Sequence, residues 1–432
     1  MIVLQSAPLP PNPPSRIDGS VAGNKRSNNR HLTGTLKSPP PQPILKPSPP
    51  NPKPSPPNPK PSPPNPKPSP PNPNPSPPNP KPSPPSPTQP EPPIPSPFSS
   101  PSTIGIIWIA SNSVDSQWMT VTYGNGRFVA VSFIGAMTST DDGTTWTHHP
   151  LSADADPLFA VTYGNGRFVA SVFAYNSEPK NVMTSVDDGT TWKPGHLLSD
   201  VNTAWRSVAY GNGCFVIVGT PWSEVGDKKP RTGNSCDNGI TWALHSSSND
   251  DLGWTSVTYG NGSFVAVATS AYDGERNGGT MVSSDNGFTW TGHPSSNDHN
   301  YWMSVTYGNG CFVAVSRGGG WNRTMTSSDN GITWTGHPSS NDNNWWTSVT
   351  YGYGLFVAVA DFGTGPRTMV SSDNGITWTG YPSSNDNNSW MSITFGNGHF
   401  VAVAGSGTNT TMVWSLPSPP PPLPSIMLLL CI

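Results

Sequence analysis

Long apolar runs are missing from this 432-residue sequence, and the longest, Ile426–Ile432, falls far short of the ~20 residues a helix needs to cross a bilayer. Cysteine is scarce, with four residues (Cys214, Cys236, Cys311 and Cys431), too few for a disulfide scaffold at this length. No Cys-x-x-Cys or Cys/His spacing suggests zinc, and the redox compartment is left open. Charge is sparse, at 11% of residues. Tryptophan and tyrosine are absent outside the segment from Trp108 to Trp414. These gaps exclude a helical bundle, a membrane-spanning chain and a single uniform fold.

Proline is abundant but uneven: 39 of the 55 lie in residues 1–101, with 6 more in 417–432. Residues 1–38 read as a disordered leader, 39–102 as a Pro-rich stalk, 103–416 as one aromatic-rich domain and 417–432 as a Pro-rich tail with a short apolar end. From Lys46 the unit Lys-Pro-Ser-Pro-Pro-Asn-Pro recurs at Lys53, Lys60, Lys67, Asn74 and Lys81. Proline fixes φ and removes the amide donor, so the expected conformation is polyproline II. At ~3.1 Å per residue, residues 39–101 reach on the order of 190 Å. The front holds ten Lys and Arg against two acids (Asp18, Glu91), whereas the remainder holds 12 against 23. The lysines are spaced rather than clustered, which suits a solvated spacer and gives no specific nucleic-acid signal. The start, Met-Ile-Val-Leu-Gln, has no basic n-region and makes a poor secretory signal.

The domain is a repeat. A unit of the type Trp-x-Ser-Val-Thr-Tyr-Gly-Asn-Gly-x-Phe-Val-Ala-Val occurs seven times, with its aromatic at Tyr123, Tyr163, Tyr210, Tyr259, Tyr307, Tyr351 and Phe395. Gly-Asn-Gly between two β-rich runs predicts a tight hairpin, because Asn and Gly tolerate positive φ. Tyr353 replaces Asn in the sixth copy. Each of the first six units is followed by Ser-x-Asp-x-Gly-x-Thr-Trp, at Ser139–Trp146, Ser185–Trp192, Ser235–Trp242, Ser283–Trp290, Ser327–Trp334 and Ser371–Trp378. This octapeptide predicts a second hairpin, in which the Asp accepts amide hydrogen bonds and the Trp packs on the sheet. Six equivalent aspartates around a ring serve structure, since they cannot share one site.

Two hairpins in about 45 residues make one four-stranded propeller blade. The expected fold is therefore all-β, a seven-bladed β-propeller of four-stranded antiparallel blades. The seventh unit ends at Thr411–Ser415 without an octapeptide, while Gly105-Ile106-Ile107-Trp108 matches Gly331-Ile332-Thr333-Trp334. This N-terminal segment, 105–108, is thus expected to supply the outer strand of blade seven and remove the open edges.

The octapeptide resembles the Asp-box, or BNR repeat, of sialidases, sortilin-type receptors, some glycosidases and photosystem assembly factors. The stalk resembles the Ser-Pro-Pro segments of extensin-like hydroxyproline-rich wall glycoproteins. A sialidase-like glycoside hydrolase is one function the first resemblance implies. Sialidases clamp a carboxylate with three arginines, and Arg231, Arg323 and Arg367 each stand six residues before the Asp of their octapeptide. However, the Phe/Tyr-Arg-Ile-Pro motif of that family is missing, and the domain holds only three glutamates (Glu178, Glu224, Glu275).

Residues recurring from blade to blade read as scaffold, including Trp118, Trp205, Trp254, Trp302, Trp346 and Trp390. Those occurring once are candidates for function: Tyr175, Trp222, Tyr272, Trp321 and Phe362 in the loops between strands two and three. The connections add Asn249-Asp250, Asn297-Asp298, Asn341-Asp342 and Asn385-Asp386, with Tyr301 and Trp345 beside them. Aromatic plates next to Asn, Asp and Arg suit sugar rings. The expected ligand set is Arg231, Arg323, Arg367, Trp222, Tyr272, Trp321 and Phe362, with no cofactor, no metal and no catalytic residue assigned. The reading is a monomeric, non-enzymatic display protein, in an extracellular, cell-wall or particle-surface setting, engaging a glycan or a protein. Sequons at Asn261, Asn322, Asn387 and Asn409 fit such a setting.

Overall fold

The computed structural model describes residues 105–113, 116–152, 156–172, 180–198, 203–221, 230–269 and 279–415. The leader, the stalk, the tail, Cys431, Tyr175, Trp222 and Tyr272 lie outside them. The described residues form seven separate four-stranded antiparallel sheets, and no helix occurs among them. Blade five is representative, with strands Trp302–Gly308, Cys311–Ser316, Thr324–Ser327 and Thr335–His337. Blade six follows with Trp345–Gly352, Leu355–Phe362, Thr368–Ser371 and Thr379–Tyr381.

Each blade is built from local chemistry. In the first hairpin of blade five, Asn309 and Gly310 take φ of 49° and 79°, the left-handed pair the two-residue turn requires. Strand one carries a bulge after its Trp, since Trp302 pairs with Ser316 but Ser304 pairs with Val315. Trp302, Val305 and Gly308 turn inward, so buried positions recur every third residue instead of alternating. Strand two is sandwiched between neighbouring blades, and all six residues of Cys311–Ser316 are buried. Burial on both faces explains why Phe-Val-Ala-Val lacks a polar phase.

The octapeptide folds as expected. Asp329 accepts from Thr333 N at 2.9 Å, from Thr333 Oγ1 at 2.6 Å and from Ser327 Oγ at 2.8 Å. Trp334 Nε1 closes the turn on the Gly331 carbonyl at 2.9 Å. The same bonds recur around Asp141, Asp187, Asp237, Asp285 and Asp373.

Blades lock to one another through three devices. A Ser of strand one accepts the next blade's amide at 3.2 Å, as in Val349 N to Ser304 Oγ. The same bond from Val121 N to Ser392 Oγ joins blade one to blade seven. The Gly after each Tyr leaves room for the next blade's aromatic: a Cβ on Gly308 would lie 2.0 Å from Cγ of Tyr351, and one on Gly396 would lie 2.1 Å from Cγ of Tyr123. Finally, the turn Asn reaches the next blade's octapeptide, with Asn309 Nδ2 donating to Asn374 Oδ1 at 2.8 Å and Asn397 Nδ2 to Asp142 Oδ1 at 2.6 Å.

The ring closes from the N-terminal side as expected, but the outer strand is Ile109–Ala110 and not the 105–108 segment itself, because that segment corresponds to the turn that precedes the fourth strand in other blades. Blade seven consists of Trp390–Gly396, His399–Ala404, Thr411–Ser415 and, as its outer strand, Ile109–Ala110. Ile109 pairs with Val413 and Ala110 with Met412. The matched tetrapeptide 105–108 is the end of a transplanted octapeptide, and the strand follows it as Thr335–His337 follows Trp334. Trp108 is buried against Trp414 (centroids 5.9 Å apart) and donates to Thr368 Oγ1 of blade six at 3.2 Å.

One crosslink was not foreseen. Cys214 opens strand two of blade three and Cys236 follows strand three, and the two form a disulfide with Cα atoms 4.1 Å apart. Cys311 holds the equivalent position in blade five, too distant in the repeat to be its partner. The hairpin register, with Phe215 opposite Ser235, brings Cys214 to Cys236 instead. Cys311 is a buried free thiol, and Ser328 stands where blade three has Cys236.

Candidate functional site

The octapeptides and Gly-Asn-Gly turns share one face of the ring, joined by the Asn bridges above. The opposite face carries the loops between strands two and three and the connections between blades. There the Ser-Ser-Asn-Asp runs turn out to be a third repeated turn. Asp298, Asp342 and Asp386 each accept from the amide and hydroxyl of a Ser three residues earlier, at 2.6–3.0 Å. Asn344 is fully buried, accepts from Thr364 N at 2.8 Å and donates to the Pro366 carbonyl at 2.7 Å. Asn388 does the same with Thr408. These polar groups hold the loops in place, and their recurrence marks them as scaffold.

The three arginines occupy equivalent positions, each giving its carbonyl to an amide near the end of strand two: Gly219, Ser316 and Ala360. Their side chains diverge. Arg231 is 1% exposed, donating from Nε to the Asp250 carbonyl at 3.0 Å and from Nη1 to Thr203 Oγ1 at 2.6 Å. It fixes the exit from blade three, and the whole of blade four separates it from the other two.

Arg323 and Arg367 are half-buried and incompletely engaged. Burial pulls the Arg323 guanidinium down from its ordinary range, and the charge of Asp342 opposes that pull. Its Nε and Nη1 have no hydrogen-bond partner. Arg367 Nη2 donates to the Gly363 carbonyl at 2.9 Å, but its Nε and Nη1 are likewise unpartnered. Buried donors without partners are rare in folded proteins and costly.

Two residues the sequence reading passed over complete the cluster. Arg317, directly after strand two of blade five, forms an ion pair across the seam with Asp361 of blade six, Nη2 to Oδ2 at 2.7 Å. The Asp361 side chain is 6% exposed and its Oδ1 has no partner. Burial raises its carboxyl above the usual range, against the pull of Arg317 and Arg367. The Arg317 guanidinium stacks over Trp345 at 4.7 Å, Trp345 meets Phe362 at 4.9 Å, and Arg367 stands 5.9 Å over Phe362. Around them Tyr301, Trp321 and Phe362 are 46%, 81% and 59% exposed. The signal for this pair lay in alignment: Arg317 and Asp361 hold the same position in consecutive blades, where opposite charges meet.

Among the described residues no group of three or more His, Cys, Asp or Glu is placed to hold a metal ion, and no helix is long and apolar enough to cross a membrane. No family model and no curated protein matches this sequence. Solved structures do match. One is the YCF48 protein bound to a D1 peptide, at 14% identity and a TM-score of 0.52, covering 72% of this chain and 95% of the other. Another is a catalytically inactive virginiamycin B lyase from Staphylococcus aureus with quinupristin, at 13% identity and a TM-score of 0.58, covering 72% and 98%. At these identities the likeness is one of fold.

Proposed function

We propose that this chain is a non-enzymatic binding protein whose loop face engages a glycan or a protein. The observation that carries the reading is the seam between blades five and six, where incompletely bonded arginines lie beside exposed aromatic rings. The exposed rings offer their faces to a ligand beside half-buried guanidinium groups. The carboxyls of Asp298, Asp342 and Asp386 are tied into turns, which leaves no free acid/base pair among them. YCF48 binds a peptide on a similar fold, which supports a protein partner as one form of the reading. The six octapeptides are read as Asp-boxes, supported by their shared hydrogen bonds. The Cys214–Cys236 disulfide supports an oxidising, extracellular, wall or particle-surface setting, with the Pro-rich segment as spacer.

A sialidase-like hydrolase is the second reading, favoured by the unpartnered nitrogens of Arg323 and Arg367. A glycan array and a fluorogenic sialoside assay on the whole chain separate the two. Retention without turnover is the expected outcome. Turnover that disappears in Arg323→Ala overturns the binding reading.

A further inference from the structure

We infer that Asn322, Asn387 and Asn409 carry N-linked oligosaccharides on the loop face, and that Asn261, which has the same tripeptide signal, is spared. This rests on the extracellular setting proposed above and names a modification of that surface. All four residues begin an Asn-x-Ser/Thr tripeptide, so sequence alone ranks them equally. All four are also exposed, so exposure does not separate them. What separates them is the work already done by the side-chain amide. Asn261 stands in the Gly-Asn-Gly turn of blade four, and its Nδ2 donates to Asn330 Oδ1 of the next octapeptide at 2.6 Å. A linked sugar replaces one of the two hydrogens on that nitrogen and would stand in the seam between blades four and five.

Among the described residues, the side-chain amides of Asn322, Asn387 and Asn409 have no hydrogen-bond partner. Asn322 and Asn409 hold the same position in blades five and seven, two residues before strand three, with φ of 61° and 51°. The buried Asn300 and Asn388 donate to their carbonyls at 2.8 and 3.2 Å. The loop backbone is thus held in place while the amide faces solvent. In blade six the equivalent residue is Pro366, whose carbonyl Asn344 binds in the same way, so the blade that carries Phe362 has no acceptor there. Asn322 lies toward the outer strand of its own blade, since a Cβ on Gly336 would stand 3.4 Å from Asn322 Cβ. A glycan rising from that edge leaves the Trp345–Phe362 pair open to a ligand. The reaction joins Nδ2 to C1 of the first sugar of an oligosaccharide carried on a lipid pyrophosphate. A C–N bond forms, the C–O bond to the pyrophosphate breaks, and the amide gives up one proton.

The test is peptide mapping of the whole chain from its native source, after enzymatic release of N-glycans in heavy-oxygen water. That treatment converts each former acceptor to a labelled Asp. Labels are expected at Asn322, Asn387 and Asn409, and none at Asn261. Asn322→Asp, which keeps a residue that tolerates the left-handed turn, should lose the mass of one glycan and fold as before. A label at Asn261, or any of the other three left unlabelled, overturns the inference. The same digest reports whether Cys214 and Cys236 are joined. No glycan on a disulfide-bonded chain overturns this inference alone; no glycan on a chain whose Cys214 and Cys236 are free thiols overturns the extracellular setting as well.

Discussion

Tyr353 stands edge-on against Phe395, with ring centroids 5.2 Å apart and planes at 81°. It occupies the turn position where the other six blades have an Asn that reaches the next blade's octapeptide. Blade seven carries only the end of an octapeptide, 105–108, and in sequence Ile104 stands where the other blades have the Asn or Asp that takes this bridge. The aromatic pair replaces the missing bridge, and Tyr353 accepts a φ of 50° to make it. Tyr353→Ala should lower stability by about 1 kcal/mol, the worth of an aromatic pair. Asn309→Ala should cost a similar amount through its bridge to Asn374. Urea midpoints for both variants check this.

The ring is closed by a few residues from the N-terminal side of the domain. Removing 103–109 should lower the melting temperature sharply, and Trp108→Ala alone should cost about 3–5 kcal/mol. An unchanged melting temperature in the deletion would refute closure as a source of stability.

Acid should weaken the octapeptides together. For Asp237 and Asp329, burial alone would raise the carboxyl, but the bonds from Thr241 and Ser235, and from Thr333 and Ser327, outweigh it and hold both at about 2. Asp141, Asp187, Asp285 and Asp373 are lowered in the same sense. A carboxyl depressed in the folded state stabilises fully above its unfolded value of ~3.9 and loses that contribution as pH falls through the folded value. The melting temperature should therefore fall between about pH 4 and pH 2. Asp329→Ala should cost about 1–2 kcal/mol at neutral pH and flatten part of that slope. Thermal melts across the acid range measure both effects.

The disulfide joins residues 22 apart in sequence. Closing a loop of that size is worth about 2–4 kcal/mol. A reductant should lower the melting temperature of the native chain and leave the Cys214→Ser/Cys236→Ser double variant unmoved. Equal response of both proteins would place the effect elsewhere.

The three arginines were alike in sequence and separate on inspection of their partners. Arg231→Ala should cost about 3 kcal/mol, since it strips bonds from a buried site. Arg323→Ala should cost less than about 1 kcal/mol, because two of its nitrogens have no partner to lose. Urea denaturation of the two variants makes the comparison.

Blade number, hairpin turns and octapeptide bonding were legible because they rest on short-range chemistry repeated six or seven times, and the closing segment because 105–108 copies part of that repeat. Tyr-Gly, Asn-Gly and Ser-x-Asp are local instructions, and repetition separates them from chance. The seam was not legible in the same way. Arg317 and Asp361 are 44 residues apart, and nothing local tells either that the other is opposite. The connection Asn and Asp looked like free ligand groups because their hydrogen-bond partners are fixed only once the turn forms.

Local sequence thus determined the blade and its count, since turn and strand preferences act within a few residues. Tertiary packing alone decided which polar side chains were consumed by the scaffold and which were left over. Arg231 finds acceptors at the exit of blade three, while Arg323 and Arg367 each keep two nitrogens without a partner. That difference arises where adjacent blades set one loop against another, a juxtaposition no single blade contains.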